Sequence, residues 1–229
     1  MPTPAWSTFV VFAVLLTAAV AVLARRSAQL LDESIEVGRV ALYANLAATQ
    51  ALLLGAVWLL LTWTNVPVET LGVTDRPTIL ALVALTVALV ALNEGASNLT
   101  ADTDNPLRAL LTPERPLEWL VLAGIVLPVI VISEEVLFRG VLIGGLAAGT
   151  GIHPAVLIVG SGLLFGLAHT AQGRLGMLVA STLGVALGVA FWLSGSLWLV
   201  ILAHYLVDLV EFLRHARFSY GSRFAGGSV

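Results

Sequence analysis

The stretch Ile132–Val141, ISEEVLFRGV, sets two glutamates and an arginine into a segment apolar enough to cross a membrane. On insertion scales a single charge at mid-bilayer costs at least about 2.5–3.5 kcal/mol. Three ionisable groups so close together therefore need a purpose. The apolar run that holds them extends over about residues 118–148. Working outward, six further runs cover about 5–24, 39–64, 78–93, 154–171, 174–193 and 196–214. Since about 20 helical residues cross a hydrocarbon core of roughly 30 Å, the expected fold is all-α and polytopic, with about seven transmembrane helices.

Composition agrees. The 229 residues are 59% hydrophobic and 11% charged, with a mean hydropathy of +0.98. Soluble domains are nearer about 45–50% apolar and about 25% charged. The absence of cysteine rules out disulfides and thiolate metal ligation. A formal charge of -3 gives no reason to expect a nucleic-acid partner.

All 11 basic residues are arginines. No positive charge precedes the first run, unlike in a secretory signal, and Arg25 and Arg26 follow it. Positive charge stays cytosolic, so the N-terminus is expected outside. Seven alternating spans then put Arg25, Arg26, Arg39, Arg108, Arg115, Arg174, Arg214, Arg217 and Arg223 inside with the C-terminus, leaving Arg76 outside and Arg139 within the membrane. The expected location is a prokaryotic plasma membrane, with lipid as a standing partner.

Residues 1–116 read as a three-helix transmembrane layer plus a cytosolic loop that begins at Asn93. Residues 117–215 read as a four-helix core and residues 216–229 as a short tail. The pairs Gly140–Gly144, Gly162–Gly166 and Gly184–Gly188 are each GxxxG, a spacing that lets helix backbones approach closely in lipid. They suggest a compact bundle of the last four helices. Pro128 should kink the fourth span and free backbone carbonyls.

Within that second half, Glu135 and Arg139 are i,i+4 and meet on one helical face. Glu134 points about 100° away and gets no partner from its own helix. Phe165 and His169 are i,i+4 on the fifth span, and His204 and Asp208 are i,i+4 on the seventh. At about 1.5 Å per residue, Glu134 and His169 lie roughly 21–22 Å from the outer ends of their helices, and His204 and Asp208 roughly 12 and 18 Å. All four can share one cavity opening inward. His153 reads as a turn residue before a helix-starting proline, His215 as interfacial, Glu211 as a partner for Arg214, and most of the tryptophans as interfacial anchors. A glutamate without an arginine, two imidazoles and an aspartate fit hydrolysis by an activated water. Two histidines and carboxylates are also a zinc donor set, so a metal, if present, would take Glu134, His169, His204 and Asp208. No HExxH occurs, and no obligatory cofactor is expected.

In order along the chain, EEVLFR matches E-E-x-x-x-R, FGLAH matches F-x-x-x-H, and HYLVD matches H-x-x-x-N/D. The set resembles the CPBP family of intramembrane proteases, which includes the type II CAAX prenyl proteases and bacteriocin-processing or self-immunity proteins. The resemblance covers about Leu117 to Arg214. It implies an α-helical membrane fold of eight or so helices and an endopeptidase acting on a membrane-associated peptide or protein. It further implies that Glu134 activates water with the help of His169, that His204 and Asp208 stabilise the oxyanion, and that Arg139 locks Glu135. Phe138 and Phe165 would serve as packing residues of the motifs. Asp208 departs from the Asn expected in the eukaryotic prenyl proteases, and an ionised Asp donates no hydrogen bond. The alternatives are a non-proteolytic membrane scaffold, a proton-coupled transporter, or bis-histidine haem ligation by His169 and His204.

Overall fold

In lipid every backbone N–H and C=O must find its partner within the segment, so each long apolar run folds as a helix. The structure, a computed structural model, describes residues 3–32, 38–100 and 106–225. Among the described residues eight helices follow in order: α1 (Trp6–Asp32), α2 (Arg39–Thr64), α3 (Ile79–Thr100), α4 (Pro106–Leu111), α5 (Pro116–Thr150), α6 (Pro154–Ala168), α7 (Gly173–Ser194) and α8 (Leu197–Ala225). Short 3-10 turns lie at Val68–Leu71 and Thr170–Gln172. Among the described residues there is no strand.

Five helices, α1, α2, α3 as far as Ala96, α5 and α7, are long and apolar enough to cross a membrane. The two that fall short of the seven expected do so for different reasons. Helix α6 has 15 residues, about 22 Å of rise. Helix α8 is long, but its first eighteen residues already hold Asp208, Glu211 and Arg214. Both exceptions bear or end at one of the candidate histidines.

The expected loop from Asn93 is not a loop there. Helix α3 runs on to Thr100, because α8 supplies polar partners alongside it. Asn93 is buried and its Nδ2 donates to Glu211. Glu94 pairs with Arg214. Glu211 and Arg214 of α8 thus each reach across to α3. At the start of α2, Arg39 bonds Glu118 at 2.8 Å and the Leu110 carbonyl at 3.2 Å, tying α2 to α4 and α5.

Helix α5 is irregular at two places, with π-helical turns at Leu122–Val126 and Val136–Gly145. The first follows from Pro128. The Leu127 N–H bonds the Leu122 carbonyl five residues back. In that register the Ala123 carbonyl would need the N–H of residue 128, which proline lacks. The Tyr205 hydroxyl on α8 donates to it instead, at 3.0 Å. The expected kink and freed carbonyl are therefore a π-bulge bridged from another helix.

Two of the glycine pairs bring helices together. A Cβ at Gly184 on α7 would lie 3.0 Å from Gly162 Cα on α6, and one at Gly188 would lie 3.2 Å from both Ile143 and Ile158. The third pair does something else. Gly140 and Gly144 on α5 seat the Val68–Leu71 turn, with Leu71 Cβ 3.2 Å from where a Cβ on Gly140 would stand and the Thr70 carbonyl against Gly144. This turn is pinned to the start of α8. The Leu197 N–H donates to Gly72 O at 2.8 Å, the Ser196 hydroxyl to Asp75 O at 2.6 Å, and Trp198 Nε1 to Val73 O at 2.9 Å. Gly72 has φ 76, and a Cβ there would stand 2.7 Å from the Gly195 carbonyl. Helix α1 contributes Phe9 and Ala13, both fully buried. One apolar cluster runs from Phe9 through Val57, Leu89, Val141 and Phe165 to Val207, so helices of both halves share it.

Candidate active site

The site is built where α5, α6, α7 and α8 meet. Glu135 and Arg139 are both fully buried on α5 and pair at 2.6 Å. Arg139 also donates to the Gly184 carbonyl on α7 at 3.1 Å, and its guanidinium lies 4.6 Å over the Phe165 ring. A buried charge survives only when paired and hydrogen-bonded, and here one arginine joins three helices.

Helix α8 adds His204, with a side chain 10% exposed. Its Nδ1 lies 2.7 Å from Glu135 Oε1. A carboxylate only accepts, so Nδ1–H donates and Nε2 is turned toward Glu134 and Asp208. Nε2 is 3.9 Å from Glu134 Oε2 and 3.6 Å from Asp208 Oδ2. Glu134 and Asp208 are 15% and 26% exposed, whereas Glu135 is sealed. The link from His204 to Glu135 is not visible from helical spacing, because it joins residues 69 positions apart.

His169 stands where α6 ends. Its φ of -97 and ψ of 28 leave the helix, and its N–H turns to the Gly166 carbonyl at 3.0 Å. The Phe165 carbonyl thereby loses its usual partner four residues on. The His169 ring fills the place, with Nδ1 donating to it at 2.7 Å. Nε2 is again the free nitrogen. Phe165 stands among the site side chains, its ring centroid 4.5 Å from that of His169, 5.8 Å from His204 and 5.1 Å from Phe138. Phe138 in turn is held by α6, since the Ser161 hydroxyl donates to the Phe138 carbonyl at 2.6 Å.

His153 lies outside this group, as the residue capping α6 before Pro154. Two contacts were not legible beforehand. Ser133, next to Glu134, meets Gln50 of α2 at 2.5 Å, and Asn93 of α3 reaches Glu211. Both partners come from the first half, which carries no recognisable motif. Each is an amide side chain set in an apolar helix, the one signal that could have found them. As for a metal, among the described residues no three histidine or acidic side chains converge into a set that could hold an ion. Each site histidine turns Nδ1 to a carbonyl or carboxylate and keeps Nε2 apart from that bond.

Residues 116–210 match the family model of the type II CAAX prenyl endopeptidase Rce1-like proteins. No curated protein and no solved structure matches the chain. The matched segment holds both glutamates, Arg139, both site histidines and Asp208, and over that segment the chain is similar to the CPBP/CAAX proteases, which supports assignment to that family.

Proposed function

We propose that the chain is an intramembrane endopeptidase that hydrolyses a peptide bond of a membrane-associated peptide or protein through a water activated by Glu134. The observation that best supports this is the contrast between adjacent acids. Glu135 is bound by Arg139, while Glu134 has no arginine and lies 3.9 Å from His204 Nε2. Glu134 takes a proton from water, and the oxygen attacks the scissile carbonyl carbon. His169 Nε2 shares the water. The developing oxyanion is met by the Nε2–H of a doubly protonated His204, whose orientation Glu135 fixes through Nδ1–H. Asp208 holds the Nε2 side of the same ring. Collapse breaks the C–N bond, and the proton held by Glu134 goes to the leaving amine, so one water is consumed per bond cut. General base catalysis of this kind contributes about 10²–10⁴-fold.

The matched family is that of CAAX prenyl endopeptidases. A lipid-modified peptide therefore heads the substrate classes to be tried, beside unmodified membrane peptides. The test compares wild type with Glu134→Gln on a reconstituted membrane peptide, read by mass spectrometry. Loss of cleavage in a folded variant supports the reading, and full cleavage overturns it. Metal content of the active protein tests the metal-free scheme, where one tightly held ion per active chain would reject it. The proposed orientation, N-terminus outside and C-terminus cytosolic, is checked by a reporter fused to residue 229.

A further inference from the structure

The inner site must be wet, and the two ends of the bundle differ in what they offer water. Glu135 Oε2 and Arg139 Nε are buried without a protein hydrogen-bond partner, and buried polar atoms are ordinarily hydrogen-bonded, often to internal water. One end is shut. There Leu71 and Thr70 lie on Gly140 and Gly144, and the backbone from Gly72 to Asp75 is pinned to Ser196, Leu197 and Trp198. Leu71 is 2% exposed.

The other end carries a polar stripe. His204, Asp208, Glu211 and His215 are spaced i, i+4, i+7 and i+11 on α8, one face of a helix. The flanking Leu202, Leu206, Leu209, Val210 and Leu213 are apolar. Side-chain exposure rises outward, from 0% at Glu135 to 10% at His204 and 26% at Asp208. Glu211 is held in line from α3 by the Asn93 amide. We propose that this face of α8 lines the route by which water reaches Glu134, entering at the C-terminal end of that helix with Asn93 and Glu211 as its far wall. Asn93 is then a positioning residue lying outside the family match.

The purpose of the route rests on the hydrolytic role given to Glu134, but its existence can be tested without any cleavage. The chain has no cysteine, so single cysteines can be placed at residues 211, 213 and 215 and the protein reconstituted in lipid vesicles. A charged, membrane-impermeant thiol reagent is then added from each side. A thiol reacts as thiolate, which forms only where water reaches, so Glu211→Cys and His215→Cys should label at least about tenfold faster than Leu213→Cys. Labelling should come from the side of the C-terminal tail, and Leu71→Cys should stay unlabelled from the other. Equal rates at 211 and 213, or labelling of 211 only from the opposite side, overturns the proposal. If Glu211→Cys does not fold, the His215 and Leu213 pair decides. In a cleavage assay Glu211→Leu should lower kcat with little change in KM, and Glu211→Gln should restore it. Unchanged kcat in the leucine variant counts against the route. If the wild type cleaves nothing but 211 still labels selectively, the route stands and the protease chemistry falls.

Discussion

Glu134 and Glu135 are neighbours in sequence, yet they occupy two different regions of the protein. One side of α5 faces a sealed ionic knot of Glu135, Arg139 and the Gly184 carbonyl, under the Phe165 ring. On the other, Glu134 and Asp208 flank a single imidazole nitrogen. Identical side chains one position apart differ in partner, exposure and neighbours. The first is an architectural acid, whose removal leaves a buried cation. In the proposed reading the second carries the proton, and its removal should leave the helices in place.

That contrast can be broken by experiment. The largest effect is expected at Glu134→Gln, which keeps shape and removes the base. Cleavage should fall by about 10²–10⁴-fold with thermal stability near wild type. A destabilised protein instead would put Glu134 in the architectural class. Next is Arg139→Ala, which strands Glu135 in an apolar interior and should cost about 3–5 kcal/mol of stability, measured by reversible unfolding in detergent. The double variant Arg139→Met with Glu135→Gln should recover much of it while cleavage stays impaired, because His204 loses its charged anchor. Normal folding of Arg139→Ala would erase the distinction. Gly184→Val comes third. Its side chain would press on Gly162 and Phe165, and overpacking of this kind costs about 1–3 kcal/mol. The smallest effect is expected at Asp208→Asn. Asn can still accept from or donate to the same place, so kcat should change by no more than about tenfold, the worth of one hydrogen bond. A complete loss would mean that the carboxylate takes part in proton transfer.

The helical membrane fold was legible because hydropathy acts over whole segments and lipid leaves the backbone few options. Residues on one helix, such as Glu135 with Arg139, were legible because 3.6-residue periodicity fixes who is near whom. Contacts between helices were not. Nothing local says that His204 turns Nδ1 to Glu135, or that the Gly140–Gly144 pair receives a turn rather than a helix. Asn93 is a misleading loop signal, because polarity alone points to solvent. In a bundle a polar residue can be answered by a second helix, and α8 answers with Glu211 and Arg214. The two shortfalls in span count have a similar origin. Helix α6 ends at His169 and α8 turns polar beyond His204, so the demands of the site outweigh those of crossing lipid.

Pro128 has a consequence for timing as well as shape. The oxygen it strands on Ala123 is taken by Tyr205, whose neighbour in the chain is His204. Rotation of the last helix about its axis would swing that phenol away together with the imidazole. The imino acid thus acts at a distance as a detent on the His204 ring, and its loss should show first as slack in the histidine's aim rather than as melting of the bundle.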